Sequence, residues 1–104
     1  TGRRRPLPEF LNMTLHLLLS SDPATAQRAI QWLASGDALL LASDGVYLAT
    51  HAMMGSPLPA NCQCFIRQQD AATRGISVPE HIHAVDDARW VDLTLQSHNT
   101  LSWI

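Results

Sequence analysis

The sequence predicts a single α/β domain: a mostly parallel sheet of four to five strands with helices on both faces. Short apolar runs such as Leu15-His16-Leu17-Leu18-Leu19 and Ala38-Leu39-Leu40-Leu41-Ala42 lack polar alternation, as strands covered on both faces do. These runs alternate with segments of helical spacing, the order of a parallel sheet with crossover helices. Each is bounded by Gly, Pro, Ser or Asp, residues that start or stop elements. The stretch from Gly36 to Ala49 is the central strand–turn–helix unit.

Taken in order, the first strand ends at Ser20-Ser21-Asp22-Pro23, where Asp22 is an N-cap acceptor and Pro23 the first helical residue. Ala26, Ala29, Ile30 and Leu33 then form an apolar stripe, with Trp32 near its edge. Gly36 is expected to close this helix in the C′ position, where a left-handed conformation is cheap. After the central strand, Asp44 is the expected cap of a helix from about Gly45 to Met54, ended by Gly55-Ser56-Pro57-Leu58-Pro59. Asn61 to Arg67 reads as a third strand, and Gln68 to Arg74 as a short helix stopped by Gly75. Pro79 lacks the N–H of a central strand, so Ile76 to Glu80 is a connection. His81 to Val85 reads as a fourth strand. Asp86 or Asp87 caps a last helix whose packing candidates are Trp90, Val91, Leu93, Thr94 and Leu95. Thr100 to Ile104 is either a fifth strand or a docked tail.

The chain has 104 residues, 46% apolar and 15% charged, which fits one globular domain with a modest core. Residues 1–12 read as an expression scar or unstructured extension, with the domain spanning residues 13–104. That prefix holds three Arg against one Glu, so the formal charge of −2 becomes −4 without it. Lys is absent, and the domain's strong bases are Arg28, Arg67, Arg74 and Arg89. Such a balance offers no footprint for a nucleic-acid backbone. No apolar run is long enough to cross a bilayer, and with no secretory signal recognisable the expected location is cytoplasmic.

Cys62 and Cys64 are the only cysteines. On one strand their side chains would share a face, with Cα atoms about 6.5 Å apart, near the outer limit for a disulfide. They could form a thiol relay or half a metal site; the simpler reading is two small buried hydrophobes. His81 and His83 likewise share a strand face, but Cys62, Cys64, His81 and His83 do not match usual zinc-ligand spacing. Asp86 and Asp87 are better explained as helix-start acceptors. His51 and His98 are expected in surface or hydrogen-bonding roles. Ser43-Asp44-Gly45 lies at the carboxyl end of the central strand, the correct end for a ligand, yet it is poor in glycine and its acid repels an anion. No catalytic, cofactor-binding or metal-binding residue is assigned.

Three stretches carry a family resemblance: the opening Met13-Thr14-Leu15-His16, the run from Gly36-Asp37 to Asp44-Gly45-Val46-Tyr47, and the closing Leu101-Ser102-Trp103. With Arg74-Gly75 and Val85-Asp86 between them, the chain from Met13 to Ile104 resembles the TusB/DsrH family of sulfur-relay proteins. The resemblance implies a DsrE-like fold and a place in a heteromeric sulfurtransferase complex with TusC- and TusD-like subunits. In bacteria that complex passes persulfide sulfur towards 2-thiolation of the tRNA wobble uridine; a DsrEFH counterpart serves dissimilatory sulfur metabolism. Some DsrH members carry a cysteine in the first helix, and Ala24 to Trp32 here has none.

The expectation is therefore an accessory, non-catalytic subunit without a cofactor. The rival readings are a persulfide carrier using Cys62 or Cys64, or a homo-oligomer binding a small ligand beyond Ser43-Asp44-Gly45. Met53, Met54, Trp90, Trp103 and Ile104 exceed what so small a core readily absorbs. Aromatics and Met are enriched at interface centres, so part of this set should lie in one and the isolated chain should self-associate.

Overall fold

The computed structural model describes residues 13–51, 54 and 58–104. The prefix, read above as a scar or unstructured extension, and Met53 lie outside the described residues. Five strands, β1 (Thr14–Leu18), β2 (Ala38–Leu41), β3 (Gln63–Arg67), β4 (His83–Val85) and β5 (Asn99–Trp103), form one sheet in the order β4-β3-β2-β1-β5. Every pairing is parallel. The connections carry α1 (Pro23–Gln31), a 3-10 helix (Ser43–Thr50), α2 (Gln68–Thr73) and α3 (Asp87–Gln96). The closing segment is thus a strand, not a docked tail.

Strand order decides where the helices go. The steps from β1 to β4 run one way along the sheet, whereas the step from β4 to β5 crosses back. Right-handed crossovers then put the first three helices on one face and α3 on the other. Packing agrees. Ala26, Val46, Leu48 and Ala71 cluster with Leu18, Leu39, Leu41 and Ile66, while Leu93 joins Leu15, Leu40 and Phe65 on the opposite face. With α3 alone on that second face, the five expected packing residues reduce to Leu93, buried, and Trp90, half-buried. Val91 and Leu95 remain 56% and 78% exposed.

The caps follow the sequence in part. Asp22 accepts from the Ala24 N–H at 3.0 Å, with Pro23 opening α1, and Asp86 accepts from the Arg89 N–H at 2.8 Å to open α3. Gly75, at φ +66°, follows α2. Gly36 is left-handed as expected, at φ 87°. It is not the C′ residue of α1, however; that helix ends at Gln31, and Gly36 turns the chain into β2.

The expected helix at Gly45–Met54 is instead a 3-10 helix at Ser43–Thr50, and Asp44 does not cap it. Its N-cap is Ala42, without a side-chain bond. The reason lies in Gly45. A Cβ there would overlap the Leu18 carbonyl oxygen, the same oxygen that accepts from the Ala42 N–H. The turn is pressed against the end of β1, and only glycine fits.

Candidate functional site

The cysteines and histidines come together, but not as strand neighbours. Cys62 precedes β3, and His81 lies in the turn before β4, so neither pair shares a strand face. Cys62, Cys64, His81 and His83 line one cavity of about 340 Å³ with Met54, Leu58 and Gln63. Among the described residues, no group of three or more His, Cys, Asp or Glu side chains is placed to hold a metal ion. His81 Nε2 is engaged with the Met54 carbonyl at 3.0 Å, and the His83 ring lies tilted against Phe65.

Both thiols are free and both are held protonated. Burial pushes the Cys64 thiol up to about 12, because a thiolate there would lose its hydration. Burial also raises the Cys62 thiol, more than the nearby Asp37 and Gly36 N–H groups lower it. Its Sγ–H donates to the Ala34 carbonyl at 3.0 Å. A nucleophilic cysteine needs the opposite surroundings, electropositive and solvated.

Ligands of open parallel sheets gather where neighbouring strands send their chains to opposite faces. Here that point lies between β3, which leads to α2, and β4, which leads to α3. A cavity of about 310 Å³ lies there, lined by Gln68, Gln69, Ala72, Asp86 and Asp87. Arg67, at the end of β3, links this rim to the start of α3. It donates to Asp70 through one terminal nitrogen and to Asp87 through Nε, each at 3.1 Å, and its guanidinium carbon sits 5.3 Å from the centre of the Trp90 ring. Ser43, at φ 53°, donates its N–H to Asp70 Oδ2 at 2.8 Å. Asp44 accepts from Arg74 at 3.2 Å. Burial alone would raise the Asp70 carboxyl, but the Ser43 N–H and then Arg67 and Arg74 outweigh it and hold it below its ordinary value. The groups of Ser43-Asp44-Gly45 that would meet a ligand are occupied by protein partners.

The sequence singled out neither His16 nor Asp37 as a pair, yet they are buried together in the domain, 1% and 6% exposed. His16 Nε2 meets Asp37 Oδ2 at 3.1 Å, and the Trp103 indole N–H donates to His16 Nδ1 at 3.1 Å. An indole only donates, so Nδ1 must accept and the imidazole proton sits on Nε2, pointing at the carboxylate. Asp37 also accepts from the Thr14 and Ala34 N–H groups at 3.0 and 2.9 Å. The Asp37 carboxylate thereby ties β1 to the turn before β2, and His16 carries the connection on to β5. The signal was available: a histidine inside an apolar strand must find a partner.

These three residues come from the three stretches that carry the resemblance. A sequence profile described as DsrH like protein matches residues 20–100. The chain belongs to the TusB/DsrH family. Asp37 lies within the matched span, and His16 and Trp103 flank it on the adjoining strands. Among curated proteins, none matches the chain. The DsrH-like family works in sulfur-relay complexes, so this chain is a sulfur-relay subunit by family. Among the described residues no helix is long and apolar enough to cross a membrane.

Proposed function

We propose that this DsrH-like chain is a non-catalytic subunit of a heteromeric sulfurtransferase complex. It serves 2-thiolation of the tRNA wobble uridine in the cytoplasm, beside TusC- and TusD-like subunits. The observation that carries this reading is the state of the thiols. Cys64 is buried with its pKa pushed up to about 12, and Cys62 donates to a backbone carbonyl, so neither is poised as a thiolate to take up persulfide sulfur. The bridged crevice at the carboxyl ends of β3 and β4 points the same way. The rival reading is a persulfide carrier, and one observation favours it: Cys62 is only half-buried and lines a cavity.

The test uses Cys62→Ala and Cys64→Ala, singly and together, since Ala adds no hydroxyl needing a partner. In cells lacking the native gene, each variant restores wobble-uridine thiolation to the wild-type level, measured by nucleoside mass spectrometry. A folded variant that still copurifies with its partners but loses thiolation overturns the scaffold reading. In the isolated wild-type chain, iodoacetamide at neutral pH labels Cys64 only after denaturant is added.

A further inference from the structure

The two edges of the sheet differ. β4 is three residues long and follows Pro79 and a turn, a short and blunted edge. β5 is five residues long, Asn99-Thr100-Leu101-Ser102-Trp103, with no charge, no proline and no bulge. Among the described residues nothing pairs with its outer side. Natural edges of this length normally carry a device against pairing. This one carries none.

The backbone says which groups are open. The Trp103 carbonyl accepts from the Leu19 N–H at 3.0 Å, so Trp103 and, two residues back, Leu101 direct their peptide groups at β1. By the two-residue alternation of a strand, Thr100 and Ser102 direct theirs outward. Leu101 is 42% exposed on the α1 face, beside Trp32 at 68%, and the two line a shallow apolar pocket with Ser102 and Trp103.

We infer that β5 pairs antiparallel with β5 of a second copy of this chain, about a two-fold axis through Leu101. An edge offering backbone N–H and C=O groups is completed by another strand, and only antiparallel pairing of identical strands closes on itself. Centring the axis on Leu101 sets Thr100 opposite Ser102 of the other copy. Those are the outward-facing residues, so each exchanges both hydrogen bonds with its opposite number. Leu101 then meets Leu101 as a close non-hydrogen-bonded pair, with Cα atoms about 4.5 Å apart.

Charge favours the same partner. α1 runs antiparallel to β1, with Asp22 at its start and Arg28 in its last turn. The two-fold brings the Asp22 end of one copy to the Arg28 and His98 end of the other, and sets no like charges opposite on β5. This pairing deepens the proposed subunit role and rests on that reading only for its use in a larger assembly. It would join two five-stranded sheets into one.

The experiment is sedimentation of the purified full chain alone across a concentration series, with Ser102→Pro and Leu101→Lys beside it. Ser102 contributes nothing to the β1 ladder, so proline there removes an outward donor without breaking the domain. The wild type dimerises, and Ser102→Pro weakens the dimer at least tenfold while its circular dichroism and Tm stay close to wild type. Leu101→Lys abolishes it by setting two cations opposite each other, and mixing Leu101→Lys with Leu101→Glu restores it. In a Cys62→Ala/Cys64→Ala background, Leu101→Cys forms an intermolecular disulfide on mild oxidation, and Thr100→Cys does not. A wild type that is monomeric throughout overturns the inference, as does one that pairs only with a different subunit or a dimer indifferent to Ser102→Pro. None of these touches the thiol argument or the place in a heteromer.

Discussion

Two polar networks hold this domain, and they are built on opposite terms. His16, Asp37 and Trp103 lie inside, with exposures of 1% and 6% for the first two, and every polar atom is spoken for. Arg67, Asp70, Arg74, Asp44 and Asp87 lie at the carboxyl ends of the strands, where Asp44 and Asp87 are 60% and 68% exposed. Inside, losing one partner strands the others away from water, and that desolvation penalty is paid in full. At the rim, water takes over whatever partner is lost. The interior network therefore locks β1, β5 and the turn before β2 to one another, while the rim network adds little energy.

The largest effect belongs to Asp37→Ala. It orphans the Thr14 and Ala34 N–H groups and the His16 Nε2–H, and is expected to cost roughly 3 kcal/mol or more. Urea unfolding measures this; a loss below about 1 kcal/mol would equate the two networks and break the comparison. Trp103→Phe keeps an aromatic ring against His16 but removes the donor to Nδ1, at an expected cost of about 1–2 kcal/mol. Packing alone would not move its second readout. Nitrogen NMR of His16 shows the Nε2–H tautomer in both proteins, because the Asp37 carboxylate still accepts that proton, while the Nδ1 resonance moves in the variant towards that of an imine nitrogen without a donor.

Asp70→Asn is the rim counterpart, with an expected cost of about 1 kcal/mol at neutral pH after allowing for solvent screening. The folded-state pKa of Asp70 lies below the ordinary 3.8. Its contribution is therefore full above that value and is lost as pH falls through the lower, folded-state value. The stabilities of wild type and Asp70→Asn converge on acidification, and a gap independent of pH would remove the charge from the explanation. Arg74→Ala is the smallest, within about 0.5 kcal/mol, because it faces the exposed Asp44 and keeps only a long 3.5 Å contact to Asp70.

The same distinction explains what the sequence disclosed. Runs such as Leu39-Leu40-Leu41 are buried whichever strand lies beside them, so the parallel sheet and the alternation of elements were legible from local pattern. The helix after β2 was legible as a helix but not as a 3-10 turn, because its form is set by the Leu18 carbonyl beside Gly45, far away in sequence. Val91 and Leu95 read as packing residues because helical spacing reports an apolar stripe without saying how wide a surface will meet it. Candidate chemistry was sought at Cys62, Cys64, His81 and His83, where similar residues sit close in the chain. The pair that matters most to the interior is separated by 21 positions, and its indole partner by 87. Spacing does not reveal such partners; the need of a buried histidine for two of them does.

Strand order also sets a schedule. Among the described elements β1 comes first and β5 last, and β5 alone covers one side of β1. On the ribosome, β1, β2 and β3 can assemble with their crossover helices while the flank of β1 stays bare and His16 Nδ1 lacks its indole donor. Loop closure across so long a separation is slow, and an open strand flank is where nascent chains stick to one another. Arrival of Trp103 ends that exposure by covering the flank and completing the buried network in the same step. Chaperone dependence in this domain should accordingly concentrate in the interval between synthesis of β4 and docking of β5.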